Sequence, residues 1–375
     1  MKRAYYIFSS GRIVRKENTI FFYQFPVEEK KEQMVEMIET DSSGNNTDYQ
    51  DEELLTEIYS EEQKDEEKQN IVGKKVIPIE DIESFFFFGE VNFNSRFLNF
   101  LTKNNIPAHI FNYYGYYSGS YYPRDYLNSG FLFVKQVQAY MDKEPRLKIA
   151  KQFIEGASFN ILKNLKYYNN REVDLQAQID TIDSLRPSIN NASGIPELMG
   201  IEGNIRSCYY TAFKQILNDK YDFKGRVKNP PDNVINTLIS FGNSLVYTTV
   251  LGEIYHTQLS PLVGFLHEPG ERRFSLSLDL AEIFKPIFTD RILFKLLNGN
   301  MLAEKHFEKR LNYCYLKEEG RKIFTQEFND KMSTTIKHRN LKKNVSYKRL
   351  IRMECYKLAK HLIGDKEYEP FKIWW

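Results

Sequence analysis

The sequence predicts an α+β protein, with a small N-terminal β-sheet domain over residues 1–122 and a larger all-α domain over residues 123–375. Three observations lead there. Strand-type runs rich in β-branched and aromatic residues open the chain, such runs return at residues 76–79 and 106–114, and beyond Pro123 apolar residues recur at helical spacing almost to the end.

The first elements form a predicted strand meander over residues 4–25: AYYIFSS, a break at Gly11, RIVRK, a turn at Glu17-Asn18, and TIFFYQF. Turn formers between aromatic runs are the hairpin pattern. From 27 to 70 the composition changes to Glu, Asp, Gln, Ser and Asn, which predicts a solvated, disordered insertion. Strand character resumes at VIPI (76–79), NSRFLNFLTKNN (94–105) predicts a helix, and IPAHIFNYY (106–114) another strand. The glycine and tyrosine stretch from Tyr114 to Tyr122 suits either a close-packed hairpin or a surface that stacks on bases.

In the second half, Leu147, Ile149, Ala150, Phe153, Ile154, Ile161, Leu162 and Leu165 follow the helical period. Ile201, Ile205, Cys208, Ala212 and Ile216 form a second stripe. The segment KGRVKNPPD (224–232) has turn chemistry, with Asp232 placed to cap the helix NVINTLISFGNSLVY that follows. No internal repeat of solenoid length is present.

Charge separates the function classes only once it is divided along the chain. Net charge is +2, but the stretch from Glu28 to Lys68 holds 16 acidic and 4 basic residues. The rest therefore carries 48 basic against 34 acidic residues, a surplus of +14. A basic body of this kind points to a polyanionic partner, because Lys and Arg on phosphates release condensed counterions. The densest positive stretch is 331–360, with ten Lys or Arg against Glu354 alone. There Lys348, Arg349, Arg352 and Lys357 are candidate phosphate contacts on an otherwise packed helix. Cys208, Cys314 and Cys355 are too widely spaced for a zinc site and suit buried free thiols. No signal-peptide pattern and no run of about 18 apolar residues is found, so the expectation is a cytoplasmic protein without a membrane partner.

Two segments hold residues suited to chemistry: GIEGNIRSCYYTAFKQIL (200–217) and PLVGFLHEPGERRFSLSLDLAEIFKP (261–286). Glu202 and Arg206 stand four apart, a spacing that also describes an ordinary surface pair. His267 follows the apolar GFL and suits either a ligand or a hydrogen-bonded core residue. Asp279 and Glu282, three apart, would share one helix face, although Asp279 could equally be a cap and Glu282 a partner of Lys285. Two carboxylates and an imidazole brought together suit Mg²⁺ or Mn²⁺.

These segments resemble the CRISPR-associated spacer-acquisition endonuclease and integrase family, in a type I system-like form. The likeness runs through GRIVRKENTI, IPIEDIESFFFFGEVNFNSRFLNFLTKNNIPAHIFNYYGYYSG, the R-x-x-I-A segment from Arg146 to Ala150, MGIEGNIRSCYY, PPD-x-x-x-N at Pro230–Asn236, and GFLH with LDLAEIFKP. The resemblance implies a helical catalytic domain, a homodimer that joins a small second Cas subunit, and double-stranded DNA as substrate. It implies Glu202, His267 and Glu282 as metal ligands, Asp279 as their support, and Arg206 with the basic C-terminal residues as phosphate-positioning groups. The reaction implied is attack of a DNA fragment's 3′-hydroxyl on a phosphodiester at the repeat edge. The alternative is a metal-dependent nuclease acting on branched repair intermediates. The insertion at 27–70 is a departure from the family's short connection there.

Overall fold

The computed structural model describes residues 2–16, 19–26, 71–124, 127–217, 221, 223–228, 230–270, 274–310, 313–339 and 341–374. The acidic stretch 27–70 and the Glu17-Asn18 turn lie outside the described residues. The chain divides into two compact units, Met1–Ile110 with Tyr121–Pro123, and Phe111–Ser120 with Arg124–Trp375. The tyrosine-rich segment around Tyr114 thus groups with the helical unit.

In the first unit the strands are β1 (Arg3–Ile7), β2 (Gly11–Lys16), β3 (Thr19–Gln24), β4 (Gly73–Pro78), β5 (Ile82–Phe87) and β6 (Val91–Phe93). Helix α1 (Ser95–Lys103) and β7 (Ala108–Phe111) follow, and β8 (Tyr117–Tyr121) falls almost wholly in the segment grouped with the helical unit. The strands of the first unit build two sheets, in the orders β1-β5-β7 and β4-β3-β2-β6. The expected meander is therefore split: β2 and β3 form the antiparallel hairpin, whereas β1 pairs in parallel with β5 in the other sheet. The reason lies in β5. Its IESFFF run is buried at nearly every position, as befits a strand flanked by parallel partners on both sides, and it offers β1 a more apolar neighbour than β2 does. Ile13, Ile20, Ile77, Phe85 and Phe97 join both sheets and α1 in one core. Asn94 caps α1 by accepting from the Phe97 amide at 3.2 Å, and Phe97, Phe100 and Leu101 form its buried stripe.

The second unit begins with α2 (Gly130–Met141) and α3 (Lys143–Asn169), then α4 (Gln176–Leu185), the short α5 (Pro187–Asn191) and α6 (Ile195–Ile216). Helices α7 (Val234–Tyr255), α8 (Ser275–Phe284), α9 (Arg291–Asn298), α10 (Glu318–Ser333) and α11 (Tyr347–Leu362) complete it. Small antiparallel pairs interrupt the helices: β9 (Phe307–Arg310) with β10 (Tyr313–Leu316), and β11 (Thr335–Lys337) with β12 (Asn344–Ser346). The helical expectation missed these, because each strand is too short to show a period of its own. By length and composition α7 is apolar enough to cross a bilayer, but most of it is buried inside the unit, where it packs on α8 and α11 as the central core helix.

One expectation at α7 is corrected. Asn233, not Asp232, is the cap, its side chain accepting from the Asn236 amide at 2.9 Å. Asp232 instead accepts from the side-chain amides of Asn236 at 2.7 Å and Asn233 at 2.9 Å. Arg226 donates to Ser240 Oγ at 2.9 Å and Asn236 Oδ1 at 3.1 Å, so the basic turn before α7 is stitched to its first two turns. The cysteines are free, as expected, with Cys314 and Cys355 buried and Cys208 half-buried.

Helix α3 carries the polar pins that hold α8. A π-helical turn at Pro286–Asp290 follows α8, and Pro286 removes a helical donor there. Asn160 and Asn164 on α3 add side-chain donors to carbonyls of this irregular stretch, bonding Ile283 O at 3.0 Å and Pro286 O at 2.7 Å.

Candidate metal centre

Three segments bring the candidate residues together: α6 with Glu202 and Arg206, the loop after α7 with His267, and α8 with Asp279 and Glu282. All lie in the second unit.

Asp279 organises the loop. It is fully buried, and its Oδ2 accepts from the amides of Phe265 at 2.5 Å and Leu266 at 3.0 Å. Its Oδ1 accepts from the His267 amide at 2.9 Å and lies 2.8 Å from His267 Nδ1. An ionised carboxylate only accepts, so Nδ1 carries the proton and Nε2 is the ring nitrogen left for a ligand. Gly264 makes this approach possible: a Cβ there would stand 2.7 Å from Asp279 Oδ2 and 2.8 Å from the Ser275 carbonyl carbon. Ser275 Oγ closes the arrangement by accepting from Gly264 N at 2.8 Å and donating to Leu262 O at 2.7 Å. Burial works against a charged imidazole, yet the hydrogen bond and charge of Asp279, with Glu282 adding to them, hold the His267 pKa above its ordinary value.

The carboxylates of Glu202 and Glu282 meet through Arg206. Its Nε donates to Glu202 Oε1 at 3.0 Å, and its terminal nitrogen donates to Glu282 Oε2. Lys285 donates to the other oxygen of Glu282. Burial pushes the Glu282 carboxyl up, but Arg206 and Lys285 overcome it and hold its pKa at about 2. The Arg206 guanidinium, which burial alone would weaken as an acid–base group, is raised well above its ordinary value by Glu282 and Glu202. Asp290, at the end of the π-helical turn, is buried with one oxygen unpartnered, and burial lifts its pKa to about 7 despite Arg206.

The surface-pair and lysine-pair readings of Glu202 and Glu282 are thus both realised, and they coexist with a convergence that neither spacing contained. Among the described residues, no three His, Cys, Asp or Glu side chains enclose an ion as they stand, since Arg206 bridges the two glutamates. The donor set nevertheless fits a hard dication: two carboxylates and a neutral imidazole nitrogen, in a spot negative enough to hold two cationic side chains. Lys285 and Asp290 were absent from the candidate set. Lys285 was legible as a neighbour of Glu282; Asp290 had no sequence signal, because only the π-helical turn after Pro286 brings it under Arg206's influence.

The C-terminal basic residues divide. Arg352 grips the buried Glu253 of α7 with both prongs, at 2.6 Å and 3.1 Å, and Lys348 stands 3.9 Å from the same carboxylate. Lys357 pairs with Glu354 at 2.5 Å, while Arg349 is exposed.

The family model described as CRISPR associated protein Cas1 matches residues 51–330. The CRISPR-associated endonuclease Cas1 of Fusobacterium nucleatum subsp. nucleatum is 46% identical over 375 residues, covering all of this chain and 98% of that protein. Among solved structures, a Cas1 protein from Thermotoga maritima is 37% identical with a TM-score of 0.77, covering 98% of this chain and 99% of its own. A casposase bound to its integration product has the same fold at 21% identity, with a TM-score of 0.77 over 99% of this chain and 93% of that one. So does a chain of a Cas6-RT-Cas1–Cas2 complex, at 15% identity and a TM-score of 0.74 over all of this chain and 36% of that one. With the family model matched over most of its length and a relative of this identity spanning it end to end, the chain belongs to the CRISPR-associated Cas1 family.

Proposed function

We propose that this chain is a divalent-cation-dependent DNA endonuclease and integrase of CRISPR adaptation, which inserts short foreign DNA fragments into a repeat array. The observation that carries the reading is that Arg206 joins Glu202 to Glu282 while His267, its imidazole tautomer fixed by Asp279, lies within electrostatic reach of Glu282. Membership of the Cas1 family and the endonuclease name of the Fusobacterium relative support it. The casposase with its integration product supports the joining step, and the Cas1–Cas2 assembly supports a small second Cas subunit as partner; a homodimer acting on DNA in the cytoplasm is part of the same proposal.

Glu202, His267 and Glu282 would hold the cation, Mg²⁺ or Mn²⁺, which when bound supplies Lewis-acid charge at the reacting phosphodiester. Asp279 keeps the His267 proton on Nδ1 and so keeps Nε2 available as a donor. Arg206 and Lys285 supply positive charge beside the carboxylates, where the phosphate must approach. In joining, the fragment's 3′-oxygen gives up its proton to solvent and forms a bond to phosphorus as the bond from phosphorus to the repeat strand's 3′-oxygen breaks, and that oxygen takes up a proton and leaves as a 3′-hydroxyl. With water as the nucleophile the same exchange is a nick.

The test offers a 3′-hydroxyl oligonucleotide and a repeat-bearing duplex to the protein with its small partner and Mn²⁺. Strand-transfer products are expected from the wild type and none from folded Glu202→Ala or His267→Ala. Normal joining by either variant sinks the assigned site, and cut ends without any joined product favour the nuclease of branched intermediates.

A further inference from the structure

The R-x-x-I-A segment is absorbed by none of the roles above, yet its arginine reaches the histidine loop. Arg146, near the start of α3, donates from Nε to Phe265 O at 2.9 Å and from a terminal nitrogen to Glu268 Oε1 at 2.6 Å. Those acceptors flank His267, two residues before it and one after. The other oxygen of Glu268 accepts from the Tyr140 hydroxyl of α2 at 2.7 Å, and the Tyr140 ring lies under the guanidinium at 4.4 Å. One turn earlier on α2, Gln136 donates to Ser260 O at 2.8 Å and Val263 O at 2.6 Å and accepts from Ser260 N at 3.0 Å.

The stretch 260–268 is therefore sewn to the α2–α3 corner along one side and to Asp279 along the other. The peptide groups of Phe265 are engaged in both directions, the amide by Asp279 and the carbonyl by Arg146. A pair between Arg146 and Glu268 alone would mean little, since the Glu268 side chain is 65% exposed and such pairs are weak in water. The planar guanidinium matters because it takes a main-chain carbonyl and a carboxylate at once, which fixes the backbone on either side of the imidazole.

We propose that Arg146, with Tyr140 and Glu268, is the positioning clamp of His267: it holds residues 265–268 so that the imidazole stays against Asp279 with Nε2 presented as a donor. The clamp rests on the metal-site reading only for its consequence; the positioning itself belongs to the metal-free protein.

The experiment uses full-length protein with ¹⁵N-labelled histidine. Six histidines give a tractable spectrum, and His267→Ala assigns the ring signals of His267. Arg146→Lys keeps the charge but loses the fork, so the Nδ1–H signal of His267 is expected to shift and broaden in metal-free protein. Mn²⁺ affinity, measured by electron paramagnetic resonance, is expected to fall about 10- to 100-fold, as when a partner that orients a ligand is lost. Glu268→Gln, which leaves the Phe265 carbonyl bond in place, should change affinity by no more than about threefold. Unchanged His267 signals in folded Arg146→Lys overturn the clamp. If that variant does not fold, the double variant Tyr140→Leu, Glu268→Ala, which removes both groups that hold the guanidinium against the Phe265 carbonyl, carries the test, with a shifted His267 signal expected and an unchanged one overturning the proposal. A wild type that binds no Mn²⁺ would sink the metal reading instead, leaving the ring signals to judge the clamp alone.

Discussion

Replacing Arg206 with Met tests whether the structure's account of the two glutamates is physical. Glu282 is buried, and its pKa falls from an ordinary 4.5 to about 2 because Arg206 and Lys285 outweigh desolvation. A shift of this size corresponds to about 3 kcal/mol of folding stability at neutral pH. The charge of Arg206 is the largest single effect opposing burial and Arg206 also holds Glu202, so its loss should cost about 2–3 kcal/mol. For a unit of this size, that lowers the melting temperature by roughly 5–10 °C. The sign with pH follows from a depressed carboxylate pKa. The stabilisation is complete above about pH 4.5 and is lost as pH falls toward 2, so the gap between wild type and variant should close over that range. Scanning fluorimetry in EDTA measures it, with Glu282→Gln added in the Arg206→Met background. That double variant should recover part of the loss, because no buried charge is left unpaired. An Arg206→Met protein that melts within about 1 °C of wild type, or a double variant less stable than the single one, would refute the reasoning.

Asp290 gives the opposite pH signature. Its pKa is raised from 3.8 to about 7, so the folded protein retains a proton that the unfolded chain sheds, and stability falls as pH rises through that window. Asp290→Asn should remove this slope and gain roughly 2–4 kcal/mol at pH 7.5 with no gain at pH 3.5, read from urea midpoints; equal stability of the two proteins at both pH values would contradict the burial argument. Along α11, Arg352→Ala should cost about 3 kcal/mol by leaving the buried Glu253 carboxylate with only Lys348, whereas Arg349→Ala should stay within about 0.5 kcal/mol. Urea unfolding checks both, and an Arg352→Ala protein as stable as Arg349→Ala would mean that the ion pair is immaterial.

The fold was legible where one period dominated a long segment. The stripe from Leu147 to Leu165 became the middle of α3, and the stripe from Ile201 to Ile216 part of the buried and half-buried face of α6, because a helix needs only its own neighbours to reveal its face. Strand pairing was less legible. AYYIFSS and RIVRK are adjacent in sequence and strand-like, yet β1 leaves β2 for β5, a choice governed by the buried IESFFF run some 75 residues further on. The β9–β10 and β11–β12 pairs were missed for a related reason: strands of three or four residues carry no period, only partners.

The site was harder still, since its local signals were true and incomplete. Glu202 does pair with Arg206, and Glu282 does pair with Lys285, as isolated helices would have it. What sequence spacing hides is that one guanidinium serves both α6 and α8, so a surface-type pair becomes half of a buried cluster. The basic run at 331–360 fails in the other direction. Charge density marks it as a phosphate surface, but Arg352 and Lys357 are partly spent inside the protein on Glu253 and Glu354, two acids that look unremarkable in the sequence. Arg349 keeps its charge exposed. Counting charges along a chain measures what a surface is able to offer, and only the tertiary pairing of each cation with a buried acid decides what remains to meet a phosphate.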